Sequence, residues 1–474
     1  MNRRQSRTVL ALSIGLMILA IILATAPQWL PKSQISETPN PLPITSSPPP
    51  TKITVTAIAL PTATQEATVT IPPTETPIPI PTKVETLTPT ITTLPTEAPP
   101  QEIDGFDVRS IDVQKLTQDM ACRQEITPAL IYQVTEMVAD TNANYIAISP
   151  PLNDVTCGST IVSNALERIN NWVSAARQHD LHIWFRMKHT SAEGWYDTPK
   201  NTDAGFQIKV HVDFIRAHPE LFQSGDIYTI NPEPQNMGIA HINCNPNEKP
   251  CTFAGRDSAE SVLLFNDWLI SAYDEITNAL SDAGVRGVTV GYFGYDGWIA
   301  FRDRNPGEEV LKAETIRATG NNVTFDHGYT EVDSTLNYDA LLAHFNNETV
   351  LTEAIRRQVE TGHPDPYVEY AKIRMYFDEI PDHLPVELCV GEWGAGANEF
   401  QDARYLRRVL DASAHYGIRC FNYYNLGNLP DPNGNQPREA LVNFSADPSS
   451  LSGYSLTPTE YYQTVRNFYS SHAP

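Results

Sequence analysis

Ile227-Tyr-Thr-Ile-Asn-Pro-Glu233 and Val386-Glu-Leu-Cys-Val-Gly-Glu-Trp-Gly394 are two short apolar runs, far apart in the chain, each with a glutamate at its end. Each reads as a β-strand with an acid where regular structure stops. An acidic residue ending an apolar run has no packing reason to be there. A parallel α/β barrel supplies a reason, because the C-terminal ends of its strands meet around one cleft, however distant they are in sequence.

Outward from these two runs, strand-like and helix-like segments alternate, as in a parallel α/β fold. The strand candidates are 105–111, 145–149, 182–187, 227–230, 287–293, 323–326, 387–390 and 419–424. Amphipathic stretches lie between them at 128–141, 161–179, 204–217, 259–283, 366–379 and 403–416, with a last helix over 458–469. Gly284, just past the fourth of these, is a helix stop. Eight strands predict an α/β fold of the (β/α)8 TIM-barrel type over residues 101–474, a length that suits one barrel with insertions. A doubly wound open sheet would alternate in the same way. Gly105-Phe-Asp-Val-Arg-Ser110 has no Gly-x-Gly-x-x-Gly, which disfavours a dinucleotide fold.

Two further segments are expected before the barrel. Residues 1–30 start with Arg3, Arg4 and Arg7 and continue into an apolar run, Thr8 to Ala26. The run is long for a signal peptide and just long enough to span a bilayer. Pro27 directly after Ala24-Thr-Ala26 is a poor cleavage context, so the reading leans to a signal-anchor over a cleaved signal peptide. The basic flank puts the N-terminus inside and the rest of the chain outside. Residues 31–100 are rich in Pro, Thr and Ser, as in Ile71-Pro-Pro-Thr-Glu-Thr-Pro-Ile-Pro-Ile-Pro-Thr82. Such a segment cannot bury enough apolar surface to fold and is expected to be a disordered, extended stalk. The only membrane contact expected is through the N-terminal segment.

The net charge of −23 argues against nucleic acid as a partner. Six cysteines in an exported chain point to disulfides, and order along the chain favours Cys122–Cys157, Cys244–Cys251 and Cys389–Cys420. No Cys/His spacing reads as a metal site, and no cofactor is expected.

Two carboxylates across a cleft are the minimum equipment for cleaving a glycosidic bond. Glu233 and Glu392 are the catalytic candidates. One must be protonated for the leaving group and the other ionised to attack the anomeric carbon. The sixth strand leads into Asp326-His327-Gly328-Tyr329, where His327 and Tyr329 share a face if the strand continues. A tyrosine hydroxyl there would hold a neighbouring carboxylate ionised and oriented. Aromatic residues gather at or after expected strand ends: Trp195 and Tyr196, Tyr292, Phe293, Tyr295 and Trp298, then Trp393, Tyr423 and Tyr424. Flat aromatic faces stack on a pyranose ring.

Asn231-Pro-Glu233, His327-Gly-Tyr329 and Gly391-Glu-Trp-Gly394, in this order, resemble the motifs of the clan A glycoside hydrolases, most of all family 5, the cellulase-like enzymes. The resemblance implies a retaining glycosidase acting on a β-linked oligo- or polysaccharide. It implies Glu233 as acid/base, Glu392 as nucleophile, and Asn231, His327, Tyr329, Trp393, Arg109 and His189 as substrate-binding residues. The chain departs from the family where Pro232 separates the asparagine from the acid.

Two other readings remain at this point. A non-catalytic glycan-binding barrel, displayed on a stalk for adhesion or cell-wall attachment, would need the aromatics but not the two acids. A metal-dependent hydrolase would need clustered ligands, and His182, His189 and His211 do not form such a set.

Overall fold

In a computed structural model, the described residues are 106–120, 122–152, 155–157, 160–188, 204–234, 259–296, 310–326, 337–379, 385–394, 401–431 and 434–472. All of them belong to one compact unit, Leu94–Pro474. The expected N-terminal segment and stalk lie outside the described residues. Among the described residues, no helix is long and apolar enough to cross a membrane.

The eight expected strands are present as Val108–Asp112, Tyr145–Ile148, His182–Met187, Ile227–Ile230, a fifth strand in two pieces, Asn322–Asp326, Glu387–Trp393 and Cys420–Tyr423. They form one parallel sheet in which each strand pairs with its neighbour in sequence, and the first also pairs with the eighth. The fifth strand is broken. Its first piece, Thr289–Val290, pairs with strand four, and its second, Gly294–Asp296, pairs with strand six. The two ends of the sheet are therefore pieces of one strand, and the curled sheet fits an eight-stranded α/β barrel. The break needs Gly291, whose φ of +121° suits few other residues and whose missing side chain leaves room for the Asn322 amide.

Alternation along each strand sorts side chains into two layers. Ile111, Ile146, Ile148, Ile183, Phe185, Met187, Tyr228, Ile230, Val323, Phe325, Leu388, Val390, Phe421 and Tyr423 belong to the large core packed with the helices. Val108, Ala147, Trp184, Ile227, Tyr292, Cys389 and Cys420 form a second cluster, which fills the inside of the barrel. There the Trp184 indole donates to Thr229 Oγ1 at 2.8 Å and meets the Tyr292 ring edge-on at 5.7 Å.

The helices begin where local capping allows. Thr127, Asp365, Asp402 and Thr459 each cap a helix with a side-chain oxygen, and Pro128 and Pro366 occupy the first turn, where no N–H is needed. Helix Ala259–Asp282 stops just before Gly284, as the sequence predicts. The helix expected from residue 161 begins later, at Ala165, because Thr160–Val162 forms a hairpin with Val155–Cys157. A second hairpin, Val442–Ala446 with Tyr454–Pro458, precedes the last helix, Glu460–Ser471.

Cys122–Cys157 and Cys389–Cys420 are disulfide-bonded. Cys389 and Cys420 face each other in register on strands seven and eight, inside the barrel. Cys244 and Cys251 lie outside the described residues.

Candidate active site

Strand seven decides where Glu392 points. Up to Val390 it alternates regularly, with Leu388 and Val390 toward the helices and Cys389 inward. Continued, that alternation would send Glu392 outward. The register slips instead. Against strand six, Val390 pairs with Phe325 and Glu392 with Asp326, and against strand eight, Val390 pairs with Phe421 and Trp393 with Tyr423. One extra residue on strand seven makes a β-bulge, and a bulge re-aims the side chain beyond it. Glu392 is turned into the barrel, where it is only 4% exposed.

The residue that meets it comes from the opposite side of the ring. Arg186 on strand three alternates with inward Trp184, is 1% exposed, and donates from Nη1 to Glu392 Oε1 at 2.5 Å. Strands three and seven are not neighbours in the sheet, so only the barrel interior can bring these groups together. The same Nη1 donates to Asp112 Oδ2 at 3.0 Å. Asp112, the last residue of strand one, also accepts from the Gln114 backbone N–H at 2.5 Å and from Asn422 Nδ2 at 3.1 Å. Asn422 Nδ2 donates as well to the carbonyl of Gly391, within the bulge, at 2.7 Å. Strands one, three, seven and eight thus contribute one polar side chain each to a single buried network near their C-terminal ends. A guanidinium at hydrogen-bond distance favours the ionised form of a carboxylate. Glu392 is therefore equipped to stay charged.

Glu233 stands just past strand four. Asn231 takes a left-handed φ of +49°, which asparagine tolerates better than most residues, while its N–H donates to Met187 O at 2.9 Å. Pro232 has no N–H to give, but its carbonyl accepts from Gly294 N at 2.7 Å, linking this turn to the second piece of strand five. Glu233 follows, half-buried between Pro232 and Pro234.

Two other acids at strands four and seven, Asp226 and Glu387, lie at the other end of the barrel. Asp226 precedes strand four and accepts from the N–H groups of Ile183 and Gln223, both at 2.9 Å, and from Arg177 at 2.5 Å. Glu387 opens strand seven and accepts from the Tyr292 hydroxyl at 2.7 Å. Burial first, and Glu387 next, push the Tyr292 hydroxyl far above the usual phenol range.

Several sequence-based expectations need correction. Arg109 faces away from the barrel interior. Its guanidinium donates to the carbonyls of Asn142 and Phe106, both at 3.0 Å, in loops that precede strands two and one. Trp393 is 5% exposed and packs among Tyr405, Phe421 and Tyr423, because the bulge that turns Glu392 inward turns its neighbour outward. Asn231 is fully buried, and its amide donates to Gln207 Oε1 on helix Ala204–Ala217 at 2.8 Å. It supports the turn that carries Glu233 and presents no open face. Tyr292, Phe293, Tyr295 and Tyr423 are buried in the two cores and form no platform, whereas Tyr424 is half-buried. His189, His327, Tyr329, Trp195, Tyr196 and Trp298 lie outside the described residues.

Arg186, Asp112 and Asn422 are the members that sequence reasoning missed. The signal was a charge inside the apolar run His182-Ile-Trp-Phe-Arg-Met187, the same signal that marked Glu392. Among the described residues, no group of three or more His, Cys, Asp or Glu is placed to hold a metal ion.

No protein-family model matches the chain, and no curated protein matches it. Several solved structures are similar to it. A GH5 family lichenase from Caldicellulosiruptor sp. F32 is 13% identical, over 82% of this chain and 99% of its own, with a TM-score of 0.46. A GH5-4 broad specificity endoglucanase from Clostridium acetobutylicum is 14% identical, over 77% of this chain and 98% of its own, with a TM-score of 0.43. A family 39 glycoside hydrolase from the gut symbiont Bacteroides cellulosilyticus WH2 is 13% identical, over 78% of this chain and 64% of its own, with a TM-score of 0.44. These likenesses are distant, and the chemistry of the site is argued from its own geometry.

Proposed function

We propose that the barrel is a retaining glycoside hydrolase that cleaves a β-linked oligo- or polysaccharide by double displacement. The observation that carries this reading is Glu392, turned inward by a bulge on strand seven and held by buried Arg186 at 2.5 Å. A carboxylate so held suits a nucleophile. Glu233, half-buried at the end of strand four, is the acid/base. In the first step Glu233 gives its proton to the leaving oxygen while Glu392 attacks the anomeric carbon. In the second, Glu233 takes a proton from water, which displaces Glu392. This chemistry needs the two carboxyl groups about 5–5.5 Å apart. In the same reading, Tyr329 orients Glu392, and His327 and His189 meet sugar hydroxyls. Residues 1–30 anchor or export the chain, and residues 31–100 hold the enzyme away from the cell surface.

The test is hydrolysis of a panel of β-linked aryl glycosides and polysaccharides by the wild type, Glu233→Gln and Glu392→Gln. Loss of at least about a thousandfold in kcat is expected for Glu392→Gln, in the range of other catalytic-group deletions. The first-formed sugar, read by NMR, should keep the β configuration. An α product would exclude double displacement. Absence of hydrolysis, with glycan binding equal in all three proteins, would favour the binding-barrel reading.

A further inference from the structure

We propose that Asp112 acts as the counter-ion of Arg186 while the charge of Glu392 is consumed in the reaction. The inference rests on the retaining reading of Glu392 given above. In the first step a bond forms between a Glu392 carboxylate oxygen and the anomeric carbon. The bond from that carbon to the leaving oxygen breaks, and the proton on the leaving group comes from Glu233. Glu392 changes from an anion to a neutral ester, while Arg186 keeps its positive charge.

Arg186 is 1% exposed, so water cannot take over the lost charge. Removing one partner of a buried ion pair is strongly unfavourable when nothing replaces it. Here the same nitrogen that touches Glu392 Oε1 also touches Asp112 Oδ2 at 3.0 Å. Asp112 is itself fully buried and fixed by donors from Gln114 and Asn422. Asn422 also holds the carbonyl of Gly391, so the counter-ion and the bulge that aims Glu392 are tied through one amide. Asp112 touches Arg186 and is a positioning residue. Its charge holds the guanidinium in place through both the free and the esterified states of Glu392.

Glu392→Gln imitates the neutral state of the nucleophile, and this allows a test that does not depend on activity. Thermal unfolding of the full chain in detergent is compared for the wild type, Asp112→Asn, Glu392→Gln, the double variant, and the double variant with Arg186→Met added. After either single loss the other carboxylate still faces Arg186, whereas the double loss removes both charges from beside it. The fall in Tm of the double variant should therefore clearly exceed the sum of the two single falls, and Arg186→Met should recover most of it. Additive falls, or no recovery by Arg186→Met, would overturn the proposal. With a 4-nitrophenyl β-glycoside that the wild type hydrolyses, Asp112→Asn should lower kcat by about tenfold or more and leave KM within about threefold. An unchanged kcat would also overturn it. Full activity in Glu392→Gln would instead sink the retaining reading itself, an outcome distinct from additive Tm losses.

Discussion

Arg186 is the residue on which the site turns. It is buried, bridges two carboxylates, and reaches Glu392 across the barrel. Arg186→Met would take the buried positive charge away from both acids, and such a break in a buried pair costs about 3–5 kcal/mol. Arg186→Lys keeps the charge but not the planar fork, so its loss in stability should be smaller. If Glu392 is the nucleophile proposed above, kcat should fall in both variants much more than KM changes, because the interaction would orient the reacting group and not the bound substrate. Urea denaturation and steady-state kinetics check this, and a methionine variant as stable and active as the wild type would refute it. A reader of the sequence can find Glu392 because an acid closes an apolar run. Arg186 obeys the same rule but sits within its run, and alternation alone does not say which face of a strand looks inward. Arg109 shows the difficulty, since it too is a charge in a strand, yet it points to the opposite layer. The partnership of Asp112, Asn422 and Arg186 depends on closing the ring of strands, and no local pattern encodes it.

The bulge in strand seven makes Gly391-Glu-Trp-Gly394 intelligible as an element. Its extra residue inverts the alternation, so the glutamate faces the barrel and the tryptophan faces the helices. Gly394 follows immediately and lets strand seven approach strand eight. A side chain there would meet the carbonyl oxygen of Tyr424 and the side chain of Glu439. Gly394→Ala should therefore push the two strands apart just beyond Glu392, costing about 1–3 kcal/mol as an overpacked site does. Activity should fall with stability, because Tyr424 N donates to Trp393 O at 2.8 Å across this same contact. The comparison of Tm and kcat/KM between Gly394→Ala and wild type decides it, and no change in either would show that the strands have slack here. The strands were legible because each is a short β-rich run between turn residues. Their irregularities were not. The slip in strand seven and the break in strand five at Gly291 are set by neighbouring strands, and the hairpin at Thr160–Val162 displaced the start of an expected helix.

At the scale of the molecule, burial separates two ends of the barrel and also stores a pH response. The C-terminal ends hold the Arg186 network, and the N-terminal ends hold Asp226 and Glu387 in contacts that serve the fold. Parallel alternation and strand count made this architecture readable, whereas the packing of tyrosines through both layers was not. Several strand-end aromatics that suit a sugar cleft in sequence are core residues in space. Tyr228, Tyr295 and Tyr469 are fully buried, and burial holds their hydroxyls well above the usual phenol value of 10.0. Tyr145 is pushed up to about 12, by burial first and then by Asp226. In the unfolded chain these phenols ionise near pH 10, but in the folded chain they stay protonated. Above that pH the unfolded state binds fewer protons than the folded one, so stability must fall as pH rises. Each fully buried tyrosine contributes a loss of about 1.4 kcal/mol per pH unit in this range, and none below about pH 9. The urea midpoint should therefore be flat from about pH 8 to 9 and drop steeply by about pH 11, with the tyrosinate absorbance of the buried residues appearing only on unfolding. A midpoint that stays flat while those tyrosines titrate near pH 10 in the folded protein would mean that solvent reaches them, and that the two packed layers are looser than their burial implies.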